Sequence, residues 1–345
     1  VTMSAWTSLA EVGASHFPRW LVELAVTDRY ESIKAARNIT CPVLAIHGSA
    51  DRVIPVEQGR EVAAAEVRDC RTADGLELYC RSWVPAEPRG VIVIVHGLAE
   101  HGGRYRETAE LFASQGWAVV AGDLRGHGRS PDPASRRVHV ARFSDYFHDV
   151  DAFLGTARAA CPGLPIFLLG HSMGGLITIS YVLRDAAGLA GAVISSPALD
   201  AHPEFRPPLL LRLLVGLLSR LAPRMLFPSD LDTSALSRDP EVVRAYLDDP
   251  LVSSKVSARF YSELMTAMHR VREQADALAI PMLLMQSGED RLVDPDAPAR
   301  WAASAPPGRI EFVRWEGFCH EMFNEPEKGA VRERTLGWLD ARLAD

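Results

Sequence analysis

The sequence predicts an α/β fold, a mostly parallel central sheet flanked by helices and interrupted by a helical insertion. Three observations carry that expectation. From residue 90 onward, short β-rich apolar runs alternate with longer helical patterns, as parallel strands with crossover helices require. Several of those runs end in glycine-containing loops. Between residues 199 and 271 the strand rhythm stops, and a helical, proline-punctuated stretch takes its place.

The strands follow in order along the chain. Residues 76–83 (LELYCRSW) read as an antiparallel opening strand, and residues 91–95 (VIVIV) lead into His96-Gly97. Residues 117–121 (WAVVA) lead into Gly122-Asp123, residues 165–169 (PIFLL) into Gly170, and residues 192–195 (AVIS) into Ser196-Pro197. Residues 281–286 (PMLLMQ) and 310–314 (IEFVR) complete the set, apolar or nearly so as expected where both sheet faces are covered. The core is thus expected over 67–198 and 272–345, with residues 199–271 as a cap or lid. Within the lid, Leu209–Leu221 is apolar apart from Arg212, Gly216, Ser219 and Arg220, whereas a surface helix normally keeps a wider polar face.

Residues 1–66 form a separate extension. Pro42, Leu44, Asp51 and Arg52 repeat the spacing of Pro281, Leu283, Asp290 and Arg291, so this piece resembles a C-terminal fragment of another domain of the same fold. No histidine lies between Asp51 and residue 67, so it is not read as a second active site.

Composition narrows the function. The 345 residues are 48% hydrophobic and carry a net charge of -7, with arginines scattered along the chain, which disfavours a nucleic-acid partner. Five cysteines without a C-x-x-C pair suggest neither a disulfide framework nor a zinc site. No secretory signal pattern opens the sequence, and no apolar run reaches the roughly 18 to 20 residues that span a bilayer. A cytoplasmic location, with possible peripheral membrane contact, is the expectation.

Directly after residues 165–169 comes Gly170-His171-Ser172-Met173-Gly174, a G-x-S-x-G elbow in its strand-turn-helix context. A serine hydroxyl is a weak nucleophile and needs a base, and the base needs a carboxylate to orient it. The order serine, acid, histidine is that of the α/β hydrolases. Asp290 lies in the loop leaving residues 281–286, with Glu289 and Asp294 as rivals, and is favoured because Asp51 keeps its place in the repeat. His320, after residues 310–314, is the only histidine beyond His269. Backbone amides of Leu98 and Met173 are the candidate oxyanion donors, with His96 bracing the Leu98 loop. Cys319 is read as packing.

The segments ADGLELYCR (73–81), HGLAEHGGRY (96–105), GHGRS (126–130), PGLPIFLLGHSMGG (162–175) and Asp249-Pro250-Leu251 resemble the monoacylglycerol lipase family of the α/β-hydrolase fold. That resemblance implies hydrolysis of a monoacylglycerol or similar lipid ester through an acyl-enzyme, with no cofactor and no metal. It also implies that Glu100 and Tyr246 bind the glycerol head, and that the lid helix Leu209–Leu221 lines the acyl site; in some members that lid also rests transiently on a membrane surface, while a lid that only covers the pocket is the plainer reading. Without the resemblance, Glu100 would be a loop-bracing acid and Tyr246 cap packing. Some relatives carry a second histidine where Phe323 stands here. Alternative readings are a broad carboxylesterase or lysophospholipase, and a ligand-binding module of the same fold.

Overall fold

The computed structural model describes residues 66–130, 138–205, 209–229 and 231–343, so the repeat around Asp51 lies outside the described residues. Among the described residues one sheet holds eight strands: β1 (Glu66–Arg71), β2 (Glu77–Trp83), β3 (Gly90–Val95), β4 (Trp117–Gly122), β5 (Ile166–His171), β6 (Gly191–Ser195), β9 (Met282–Ser287) and β10 (Ile310–Trp315). Their order across the sheet is β1-β2-β4-β3-β5-β6-β9-β10. The pairs β1/β2 and β2/β4 are antiparallel, and every pair from β4 to β10 is parallel.

Strands β3, β4, β5, β6 and β9 are buried along their whole length, as continuous apolar runs demand when helices cover both faces. Side chains alternate between those faces. Val91, Val93, Ala118, Val120 and Leu168 join the core beneath α2 (Asp145–Ala160) and α3 (Met173–Arg184). On the other side Phe167 meets Trp117 and Trp338 edge to face, with ring centroids 5.6 and 6.1 Å away. Helices α1 (Arg106–Ser114) and α8 (Lys328–Leu343) are joined there by Glu107, which accepts from Lys328 and Arg332 at 2.7 and 2.8 Å. Helix α7 (Ala297–Ala303) connects β9 to β10.

Two strands depart from the expectation. Edge strand β1 carries only two apolar residues in EVRDCR, so no period-2 pattern marks it, and backbone pairing with β2 decides its form. Strand β10 was expected to be covered on both faces like its neighbours, but all its residues keep some exposure because it forms the opposite edge.

Between β6 and β9 the chain builds α4 (Leu209–Leu221), α5 (Pro240–Asp248) and α6 (Ala258–Arg272), plus a small antiparallel pair, β7 (Leu226–Pro228) with β8 (Lys255–Ser257). Helix α5 starts on a local signal, with Asp239 accepting from the Glu241 amide at 2.9 Å and Pro240 in the first turn. Ser257 caps α6 through the Phe260 amide. Phe260, Leu264, Met268 and Val271 then turn one face of α6 onto the core, against α3 and α4.

The loop after β4 is held by buried charge. Asp149 on α2 is fully buried and accepts from the Arg125 amide at 2.9 Å and its Nε at 2.8 Å, while Arg125 also reaches Asp74 at 2.8 and 3.1 Å. Truncating Asp149 leaves the buried guanidinium with Asp74 alone and takes the acceptor from the Arg125 amide. Asp149→Ala is therefore expected to lower stability by about 1.5 to 3 kcal/mol, read from the urea midpoint at unchanged m-value.

Candidate active site

Loops at the carboxyl ends of β3, β5, β9 and β10 converge at one edge of the sheet, where open α/β folds place their sites. Strand β5 ends at His171, and helix α3 starts at Met173, leaving Ser172 alone to make the turn. Its backbone sits at φ 53° and ψ -116°, a conformation that costs on the order of 1 to 3 kcal/mol in a non-glycine residue. The neighbours hold it there. Ser172 donates its amide to Ser195 at 3.0 Å, and its carbonyl accepts from Leu176 at 3.1 Å and Ala198 at 3.0 Å. Gly174 has no room for more, since a β-carbon there would fall 2.0 Å from the Val95 carbonyl oxygen.

His320 and Asp290 meet. His320 Nδ1 lies 2.7 Å from Asp290 Oδ2, with both side chains buried. Asp290 also accepts from Ser287 Oγ at 2.8 Å, Gln286 Nε2 at 3.1 Å, and the Leu292 and Val293 amides at 3.0 and 3.1 Å. Burial works against its charge, yet His320 and these donors hold the carboxyl down at about 2. For His320 burial again opposes the charged form, and Asp290 overcomes it to raise the imidazole above its ordinary value. The two rivals stand elsewhere: Glu289 is exposed, and Asp294 pairs with Arg300 at 2.7 Å.

The His320 ring packs on that of His171, the residue before Ser172, with centroids 4.8 Å apart. Burial, and then His320, push His171 down to about 4, so it stays neutral at pH 7. From the other side comes the loop after β3, where a β-carbon on Gly97 would lie 3.3 Å from Ser172 Cβ. Leu98 follows Gly97 in that loop, and Met173 opens α3, where first-turn amides have no partner within the helix. Ser172, Asp290, His320, Leu98 and Met173 thus come from four loops to one edge. His96 is fully buried behind them, its Nε2 accepting from the Leu124 amide at 2.9 Å, and burial holds it neutral.

Glu100 is occupied by its own loop, accepting from the Gly97 amide at 2.6 Å, Tyr105 Oη at 2.8 Å and Arg104 Nη1 at 2.7 Å. Burial would lift its carboxyl, but Arg104, His171 and His96 hold it low. Tyr246 of α5 is buried nearby, its ring 4.8 Å from the Arg104 guanidinium carbon, and burial beside Glu100 pushes its phenol up. The insertion grips this loop further through His101 and Asp249, 2.8 Å apart, and through the Ser253 amide on the Ala99 carbonyl at 2.9 Å. Burial also raises the Cys319 thiol, which keeps it a poor nucleophile. Among the described residues, no three His, Cys, Asp or Glu side chains gather as a metal would need.

Sequence reasoning missed Arg104 and Glu321, whose bidentate ion pair at 2.5 and 2.7 Å joins the β3 loop to the residue beside His320. Their signals were present as Arg104 in the HGLAEHGGRY segment and Glu321 next to His320, but nothing in the sequence joins positions so far apart. The Asp290–His320 pair generates a direct expectation. Removing the carboxylate charge leaves burial as the dominant influence, so Asp290→Asn should lower the His320 pKa, as followed by its imidazole resonances in an NMR titration.

Residues 86–327 match the Hydrolase_4 family, described as serine aminopeptidase, S33. The monoacylglycerol lipase of Mycolicibacterium smegmatis is 37% identical over 272 residues, covering 78% of this chain and 95% of that protein. Phospholipase YtpA of Bacillus subtilis is 36% identical over 261 residues, covering 75% and 98%. Among solved structures, the monoacylglycerol lipase of Paleococcus ferrophilus superposes with a TM-score of 0.70 at 31% identity, covering 77% of this chain and 99% of that one. Fold, elbow and relatives agree, and the chain belongs to the monoacylglycerol lipase family of α/β-hydrolase serine hydrolases.

Proposed function

We propose that the protein hydrolyses monoacylglycerols to glycerol and fatty acid, with Ser172, Asp290 and His320 as its catalytic triad. The observation that carries this reading is the 2.7 Å contact of His320 Nδ1 with Asp290 at the sheet edge where Ser172 makes its turn. With Nδ1 occupied, Nε2 is the nitrogen left to accept a proton from Ser172. Ser172 Oγ attacks the ester carbonyl as His320 takes that proton, and Asp290 stabilises the imidazolium. The Leu98 and Met173 amides receive the oxyanion, each such donor being worth on the order of 3 kcal/mol of barrier. Collapse of the intermediate expels glycerol, protonated by His320, and leaves an acyl-serine. Water, deprotonated by His320, then attacks the acyl carbonyl, and the fatty acid departs as Ser172 regains its proton.

Glu100 and Tyr246 stand at the foot of the insertion and are assigned to the glycerol hydroxyls. Glu100 already accepts from the Gly97 amide, Tyr105 and Arg104, so its part is to accept one further hydroxyl beside those donors, while the buried phenol of Tyr246 favours a head group that bonds to it over a plain alkyl alcohol. The relatedness to a phospholipase supports a second reading, in which the same triad takes a lysophospholipid.

The insertion serves as the lid. Leu213, Leu214, Leu217 and Leu221 of α4 expose 63%, 49%, 52% and 75% of their surface, an apolar face that water does not favour. Leu213, Leu217 and Leu221 are four residues apart and so lie along one stripe, with Arg220 and Arg224 exposed beside it. Such a face suits the boundary of a lipid surface, where the substrate resides. Among the described residues no helix is long and apolar enough to cross a membrane.

Fatty-acid release from 1-monoacylglycerols, beside equal-chain alkyl esters and lysophospholipid, tests the reading. Monoacylglycerols should be turned over best, and Ser172→Ala should lose at least about 1000-fold in kcat. Because His320 must be neutral to accept a proton, kcat/KM should fall on the acid side through a pKa above the ordinary histidine value of about 6.5. A clear preference for lysophospholipid or alkyl esters would keep the triad and remove the glycerol assignment. For the lid, Leu217→Glu with Leu221→Glu should weaken cosedimentation with phosphatidylglycerol vesicles and turnover of vesicle-borne substrate. Hydrolysis of dissolved p-nitrophenyl butyrate should persist, and equal vesicle binding by both proteins would rule out the contact.

A further inference from the structure

Beside the Asp290–His320 pair lies a set of buried charges that the acyl-transfer steps leave unused. Glu321, next to His320 in sequence, is 4% exposed and holds Arg104 in a two-pronged ion pair, with Nη1 2.5 Å from Oε1 and Nη2 2.7 Å from Oε2. The same Nη1 donates to Glu100 Oε2 at 2.7 Å. Glu100 in turn accepts from the Gly97 amide, one residue before Leu98. One guanidinium therefore links the loop that carries His320 to the loop that carries Leu98. Asn324 Nδ2 donates to the second Glu321 oxygen at 2.8 Å, and the His320 and Glu321 amides donate to Ala235 and Leu236 of the insertion at 3.2 and 2.8 Å.

Stability alone is a poor account of such a cluster. Two carboxylates and one guanidinium keep a net negative charge out of water, and apolar packing of equal volume generally serves a core as well or better. What a planar, bidentate pair supplies is a fixed distance and angle between the pieces it joins. Here those pieces are the proposed proton acceptor and one proposed oxyanion donor, which must address the same carbonyl. A displacement of about 1 Å between such groups costs up to roughly 100-fold in rate.

We propose that Glu321 and Arg104 are positioning residues of the acyl-transfer reaction, their ion pair locking the His320 loop against the Leu98 loop. This rests on the serine-hydrolase reading above. The cluster also sets the field at the imidazole. The groups facing His320 are Asp290 from the β9 loop, His171 at the end of β5, Glu100 with Arg104 behind it from the β3 loop, and its own neighbours Cys319 and Glu321. Burial disfavours the imidazolium, while Asp290, Glu321 and Glu100 favour it.

The test compares the full chain with Glu321→Gln and Arg104→Lys on dissolved p-nitrophenyl butyrate across pH, with thermal unfolding in parallel. Glu321→Gln should lower kcat about 10- to 100-fold with KM changed less than about threefold. Its acid limb should move to lower pH, because a negative charge facing His320 is gone. Arg104→Lys keeps the positive charge but loses the fork, so kcat should fall while the acid limb stays in place. Should Glu321→Gln fail to fold, that second variant decides. Unchanged kcat in the folded variants, or losses that only follow the fraction unfolded, overturn the positioning role while the triad stands. A wild-type protein that cleaves no ester overturns both readings together.

Discussion

A serine held at φ 53° and ψ -116° persists only where its surroundings leave it no alternative, and the geometry of the site starts from that turn. Parallel pairing of β5 with β3 and β6 brings the chain to the sheet edge, and the amide of Ser172 is then taken by Ser195. Helix α3 has to begin at once, close beneath the end of β3, and only glycine at 174 tolerates the Val95 carbonyl at that range. Ser172 consequently stands at the sheet edge, immediately before the first turn of the helix. Every other functional loop is placed relative to this one point.

Buried charge does the second part of the work. Behind the site, buried carboxylates are paired with guanidinium groups across separate elements: Asp149 of α2 with Arg125, Asp123 with Arg81 of β2, and Glu321 with Arg104, which also holds Glu100 in its own loop. Such pairs add less to stability than their geometry suggests, since each ion was first taken out of water. They do restrict the loops to one arrangement, which a site made from four separate turns needs. The insertion takes part in the same restriction, since His101 with Asp249, Ser253 with Ala99, and the turn at Ala235 and Leu236 bind it to both the β3 and the His320 loops. Its outer helix, by contrast, leaves leucines in water. The inner surface of the insertion is thus tied to the site, while its outer helix leaves an apolar face exposed.

Much of this was legible along the chain. The five fully buried central strands read as unbroken apolar runs because helices cover both sheet faces, and the elbow could be named because Gly170, Ser172 and Gly174 answer a local steric demand. Less was visible where pairing partners decide the outcome. Strand β1 shows two apolar residues in six and exists by its ladder with β2, while β7 and β8 are three residues each, too short for any periodicity. Strand β10 has an apolar pattern like β9, yet its exposure follows from having no neighbour on one side.

By itself the sequence determined the α/β class, the turn at Ser172 and the short set of candidates for acid and base. These follow from local rules: side-chain period, glycine sterics, and the order in which strand ends meet the sheet edge. Only the tertiary structure decided that Asp290, and neither Glu289 nor Asp294, faces His320, that Glu100 is engaged by its own loop, and that Arg104 joins it to Glu321 across 217 residues. Hydrogen bonds and ion pairs act over about 3 Å in space. Which residues come that close is set by the topology of the sheet, and no spacing along the chain records it.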